Sequence, residues 1–251
     1  MHRKLCALFL VLALAVPATA AQAADLIVSA AASLTDVLKD VKPLFEAKHP
    51  GATVVYNMAS SGDLYRQLES GAPADVYASA NLKWMDQAVA KKLVDESTRI
   101  TFATNSLVLA VPTGNPAKVK AVADLTGKAV GRVGIGVPEH VPAGAYAKKA
   151  LEALKLWDVL QPKLIPGESV RQILDYLVRG EVDAGFVYAT DAKKGGEAVL
   201  TLAAVPEAGV VTYPVAVVAT STQKALAAEF VKFLAGPEAA PAFAARGFSK
   251  P

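Results

Sequence analysis

Four short stretches place small or hydroxylated residues immediately ahead of a helical pattern. They are Ser33 in "SAAASLTDVLKD", Ser60-Ser61-Gly62 in "ASSGDL", Pro142-Ala143-Gly144 in "VPAGAY" and Glu168-Ser169-Val170 in "ESVRQIL". A helix N-terminus exposes N–H groups that lack intrahelical acceptors and carries about half a positive charge. Four such ends converging on one point would supply roughly two positive charges without a lysine or arginine, which suits a dianion. Small side chains would let backbone amides approach the ion, and serine hydroxyls would add directed donors. Only Arg171, just behind Val170, is a basic residue close to any of these mouths. An ion held by neutral dipoles can also leave when the site opens, because no fixed countercharge retains it. A purely local role competes with this reading: Ser33 with Asp36, and Ser60 with Asp63, both fit the Ser-x-x-acid capping pattern.

Signatures of catalysis are thin. His49 and His140 are far apart and lack metal-ligand spacing; His49, in "AKHPG", reads as a helix-end residue favoured by the dipole. The chain has no Gly-x-Ser-x-Gly elbow and no Walker loop. "GRVGIG" echoes a dinucleotide fingerprint, but Pro138 and Pro142 follow where a helix should open. Glu139 beside His140 offers an acid–base pair, the basis of an alternative reading as an exported hydrolase.

The elements that must position these residues begin after a leader. Arg3 and Lys4 precede an apolar run from Leu5 to Val16, too short to span a bilayer, and "PATAAQAAD" offers cleavage after Ala20 or Ala23. Residues 1–24 therefore read as a secretory signal peptide. Cys6, the one cysteine, lies inside it, so the mature chain is expected to have neither disulfide nor thiol chemistry. Removing Arg3 and Lys4 leaves 24 basic residues against 23 acids, a balance that suggests neither nucleic acid nor an anionic membrane as partner. No later apolar run reaches the ~18 residues of a transmembrane helix. The remaining ~230 residues suffice for one large or two small domains.

Beyond the leader, strands and helices alternate. "DLIVSA", "ATVVYNMA" and "DVYASA" read as strands, each followed by a helical pattern, the third capped by Asn81. "SLVLAVP", "AVGRVGIG", "PKLIPG", "DAGFVYATD" and "VVTYPVAVVAT" continue the strands, with helices from "PAGAYAKKALEALKL" and "SVRQILDYLVRG" and two more closing the chain. The alternation predicts an α/β fold of mostly parallel sheets with helices on both faces. No sequence repeat or Ser/Gly linker is visible, so two lobes would be joined by strand-like segments such as "NSLVLAV" and "YPVAVV".

Several of these blocks, in this order, closely resemble the periplasmic molybdate-binding proteins of ABC importers. They are "AAASLTDVL", "ASSGDLYRQLESGAPADVYASA", "WMDQAV", "NSLVLAVP", "PEHVPAGAYAKKAL" and "YPVAVV". The resemblance runs from about Leu26 to the end. It implies the type II periplasmic-binding fold: two α/β lobes, two crossing strands and an oxyanion between them. It places the ligand-binding roles on the hydroxyls of Ser33 and Ser61, the backbone amides of Ala143 and Val170, and the phenol of Tyr188. Without it, Tyr188 at a strand end would read as core. Residues 25–103 with 215–251 would form one lobe and 104–214 the other. The implied function is capture of molybdate, with tungstate also a ligand, and delivery to the permease of an ABC transporter; a binder of another oxyanion such as sulfate is the alternative. The ion would be held through its oxygens, with no side chain on the metal, no cofactor and no catalysis. The protein would be a periplasmic monomer.

Overall fold

The computed structural model describes residues 24–251; the leader, with Cys6 and both cleavage sites, lies outside them except for Ala24. Strand β1 (Ala24–Ala31) leads through a 3-10 turn at Ala32–Leu34 into helix α1 (Thr35–Lys48). Then come β2 (Ala52–Ala59), α2 (Ser61–Glu69), β3 (Val76–Ala78), α3 (Leu82–Ala90) and β4 (Ile100–Asn105). The chain crosses at Ser106 into β5 (Leu107–Pro112) and continues with β6 (Val133–Gly136), α4 (Pro142–Ala153), α5 (Trp157–Leu160), β7 (Leu164–Gly167) and α6 (Val170–Val178). The second half ends with β8 (Ala184–Tyr188), α7 (Ala189–Gly195) and β9 (Val199–Ala204). After a crossing over residues 205–210 the chain returns with β10 (Val211–Val217), α8 (Lys224–Leu234) and α9 (Ala240–Arg246).

Two five-stranded sheets result, ordered β2-β1-β3-β10-β4 and β7-β6-β8-β5-β9. In the first, β2, β1 and β3 are parallel and β10 is antiparallel to both neighbours, so every strand except β10 runs the same way. In the second, β5 is the reversed strand. Each sheet is therefore mostly parallel, and its reversed strand is the one that has just arrived from the other lobe. This gives the two halves one topology without any sequence repeat.

Two strands escaped the sequence reading. β4 mixes polar and apolar residues, and β9 is an edge strand with much of its length exposed. Neither forms the uniform apolar run that marks a buried strand. The crossing points follow from this. "LVLAVP" lies wholly in the second sheet and "YPVAVV" in the first, so the chain changes sheets at Ser106 rather than along either strand. Pro214, which cannot donate to a ladder, coincides with a shift in register between Tyr213 and Pro214.

Two glycines of "GRVGIG", Gly134 and Gly136, serve packing. A Cβ on Gly144 in α4 would fall 1.9 Å from the carbonyl oxygen of Gly136, and one on Gly136 would fall 2.5 Å from Val141 Cγ1. A Cβ on Gly134 would meet Ile173 of α6 at 3.0 Å. Helix α4 thus presses its first turn onto the end of β6. Gly144→Ala should cost about 3 kcal/mol of folding stability, because backbone rather than a flexible side chain must move aside. Urea denaturation measures it as a lowered midpoint.

Candidate functional site

In open α/β sheets, ligands sit beyond the carboxyl ends of the parallel strands. Here β1 runs into Ser33, β2 into Ser60 and Ser61, β7 into Ser169 and Val170, and β8 ends on Tyr188. The loop after β6 delivers Pro142 and Ala143. All five residues singled out in the sequence, Ser33, Ser61, Ala143, Val170 and Tyr188, line one cavity between the lobes. Its volume is about 10 Å³, far below the roughly 300–1,000 Å³ of sites for drug-sized organic ligands, so it suits only a small occupant.

The four helix mouths do converge, although they are built differently. At α2, Ser60 is the cap: its Oγ accepts from Asp63 N–H at 3.2 Å and donates to the Asp63 carboxylate at 2.5 Å. Ser61 is thereby released from capping. Its Oγ accepts from the Ala80 N–H at 2.9 Å, and its carbonyl accepts from the Tyr77 hydroxyl at 2.8 Å. At α6, Ser169 caps by accepting from Gln172 N–H at 3.2 Å. Helix α4 opens with Pro142, which has no N–H to leave unpaired. As first or second residues of their helices, Ser61, Ala143 and Val170 carry N–H groups with no intrahelical acceptor.

Ser33 is where the capping pattern fails. It sits inside the 3-10 turn, the N-cap of α1 is Leu34, and neither start has a side-chain cap. Asp36 is drawn elsewhere: its carboxylate contacts Arg171 Nη1 at 2.5 Å and Lys194 Nζ at 3.0 Å, both from the other lobe. Ser33 Oγ instead accepts from the Tyr213 hydroxyl at 3.2 Å.

Tyr188 is 1% exposed, and its hydroxyl has no hydrogen-bond partner among the described residues. Complete burial, with Tyr213 nearby, holds the phenol well above its ordinary pKa, so it stays a neutral donor. A buried hydroxyl without a partner is costly. One that faces a cavity rimmed by helix N-termini is a donor waiting for an acceptor.

Arg171 does not reach into this cavity. Its Nε lies 2.7 Å from Asp191 Oδ1, and its Nη2 donates to the Ser33 carbonyl at 3.1 Å. With Asp36 it forms a bridge across the lobes, and its charge is matched by two carboxylates. Partial burial pushes the Asp36 carboxyl up, but Lys194 and Arg171 outweigh it and hold the group below its usual range. Asp191, fully buried, is pushed up to about 6 by desolvation, with Arg171 opposing. A larger cavity of about 250 Å³ beyond Ser33 is lined by Asp36, Arg171, Lys193, Lys194 and Arg246.

His140 and Glu139 do not pair. His140 Nε2 lies 2.9 Å from Glu168, and Glu139 is exposed. His49, at the end of α1, packs its ring on Phe45 and contacts Glu229. His140 matters through its backbone: its carbonyl accepts from Gly62 N–H at 3.0 Å, joining α2 of one lobe to the other lobe.

A cleft between two α/β lobes, closed over a small chamber lined by neutral donors, defines a solute-binding protein. The chain belongs to the bacterial extracellular solute-binding protein family, whose model matches residues 26–249. It is 45% identical over 230 residues to the molybdate-binding protein ModA of Escherichia coli, covering 88% of each chain. The periplasmic molybdate-binding protein of Azotobacter vinelandii superposes with a TM-score of 0.80 at 24% identity, covering 90% of this chain and 99% of that one. A sulfate-binding protein of Mycobacterium tuberculosis superposes at 0.78 with 22% identity, covering 90% and 86%. At such identities the two superpositions speak for the fold alone.

Sequence reasoning missed Tyr213 and Asn105, which stand behind Ser33, and the Arg171–Asp36 bridge. Tyr213 lay in view as the first residue of "YPVAVV", but its partner is 180 residues away. The closed contact yields a direct test. A Cβ on Gly62 would fall 2.7 Å from His140 Cα, Cβ and O. Gly62→Ala should prop the lobes apart and forfeit about 0.5–1.5 kcal/mol of closing energy. Small-angle scattering should report a larger radius of gyration than wild type, with the melting temperature little changed.

Proposed function

We propose that this protein captures molybdate, with tungstate as a second ligand, and passes it to the permease of an ABC transporter. The observation that carries this reading is the unpartnered Tyr188 hydroxyl, buried at a small chamber ringed by four helix starts. Identity to a molybdate-binding relative supports the choice of ion. In this reading the oxyanion accepts from the hydroxyls of Ser33, Ser61 and Tyr188 and from the N–H groups of Ala143 and Val170. The protein touches only oxygens, needs no cofactor, and performs no catalysis. It works in the periplasm as a monomer, with the lobe of the first sheet moving against that of the second about the crossings at Ser106 and residues 205–210.

The energetics fit. Hydrogen bonds to a charged group contribute about 1.5–3 kcal/mol each. Five of them gross roughly 8–15 kcal/mol, while a micromolar constant needs about 8. Closure consumes part of the surplus, and the Arg171–Asp36 bridge and the Gly62–His140 contact return some of it. A chamber of donors also favours fully deprotonated ions. Hydrogen phosphate brings a proton that needs an acceptor, and leaving it unpaired in a dry chamber is expensive.

Calorimetric titration with molybdate, tungstate, sulfate and phosphate tests the assignment. Molybdate and tungstate should bind with sub-micromolar constants and phosphate should give no heat; tight sulfate binding without a molybdate signal would overturn the choice of ion. Ser61→Ala and Tyr188→Phe should each weaken molybdate binding about 10–100-fold, the loss of one charge-assisted bond. Tyr188→Phe should do so without lowering the melting temperature of the ligand-free protein, since the lost hydroxyl had no partner there.

A further inference from the structure

Behind Ser33 lies a chain of hydrogen bonds anchored at one end by a donor that has no choice of role. It starts at Ser106, where the polypeptide first crosses between lobes. The Ser106 backbone N–H, which can only donate, meets Asn105 Oδ1 at 2.9 Å. This fixes the amide orientation, so Asn105 Nδ2 must be the atom that faces Thr190 Oγ1 at 2.9 Å and the Tyr213 hydroxyl at 3.3 Å. The Tyr213 oxygen therefore accepts from Asn105, and its proton points onward to Ser33 Oγ at 3.2 Å. Ser33 Oγ in turn accepts from Tyr213, which leaves its own proton for the cavity it lines.

The setting makes this chain rigid. Asn105 is 9% exposed, Tyr213 0% and Ser33 2%. The Tyr213 ring packs edge-on against Phe248 and Tyr188 at centroid distances of 5.4 and 6.2 Å. Burial raises the pKa of the Tyr213 phenol, so the proton it must donate stays in place at any physiological pH. Tyr213 stands at the register shift in β10, just after the second crossing, a position where a bulge can redirect a side chain. Both crossings thus contribute a link. Ser61, by contrast, is oriented within its own lobe by the Ala80 N–H.

We propose that Tyr213 is a positioning residue for the anion site: held by Asn105, it occupies a lone pair of Ser33 and turns the Ser33 hydroxyl into a fixed donor toward the bound oxyanion. The ligand itself does not touch Tyr213. The inference rests on the oxyanion-binding reading given above. It predicts that the contribution of Tyr213 passes through Ser33 and through no other donor.

A double-mutant cycle read by molybdate calorimetry tests it. Tyr213→Phe keeps the buried ring, and Asn105 retains Thr190 as partner, so the fold should survive; thermal melting checks that. Affinity should fall about tenfold, the loss of one oriented hydrogen bond. In a Ser33→Ala background the same change should have almost no further effect, whereas with Ser61→Ala the two losses should multiply. Equal losses in all three backgrounds would overturn the proposal by assigning Tyr213 a general structural role, and unchanged affinity in Tyr213→Phe would overturn it outright. Absence of molybdate binding by the wild-type protein would instead refute the oxyanion reading on which the cycle depends.

Discussion

Every donor around the chamber is a neutral dipole, and a neutral dipole attracts an anion only along its own axis. A lysine in the same place would attract from any direction and would tolerate a loose scaffold. Here direction must be fixed in advance, because reorienting a hydroxyl or a helix end as the ion arrives would consume the small energy each bond yields. Much of the structure can be understood as a means of aiming. Ser60 takes over capping so that Ser61 need not, the Ala80 N–H and Tyr213 each occupy an oxygen lone pair of a serine, and Pro142 starts α4 without a competing N–H.

The same constraint explains why charges are present yet kept aside. Arg171 stands one residue behind the mouth of α6, close enough to dominate the chamber if unpaired. It is instead neutralised by Asp36 and Asp191. The contact with Asp36 spans the lobes, while Asp191 anchors the guanidinium within its own lobe, so the cation serves closure rather than retention. In the proposed oxyanion site, holding the ion by dipoles and the lobes by an ion pair would separate two tasks: the first sets which anion is accepted, the second how readily the cleft reopens.

The sheet topology supplies the frame in which such aiming is possible. In each lobe the reversed strand is the first after a crossing, so β5 and β10 carry the crossings into the interior of a sheet, one strand from its edge. Asn105 and Tyr213 sit at these crossings. An amide at the hinge can therefore orient a hydroxyl at the ligand chamber with only one ring between them.

Much of this was legible in the sequence. Helical periodicity, apolar runs and small residues ahead of helices gave the α/β class and the four helix mouths, because these patterns depend on near neighbours in the chain. The resemblance added the convergence and Tyr188, which no local pattern would have singled out from a core aromatic. Ser33 marks the limit. Its sequence neighbour Asp36 made it look like a cap, and both residues found stronger partners from the opposite lobe or strand: Arg171 and Lys194 for Asp36, Tyr213 for Ser33. Likewise β4, which mixes polar and apolar residues, and β9, an exposed edge strand, became strands by pairing with β10 and β5. What the sequence determined by itself was the set of donors, since a donor is a property of a residue. Their aim was decided only by the tertiary structure, since a hydroxyl takes its direction from whichever group has already claimed its lone pair.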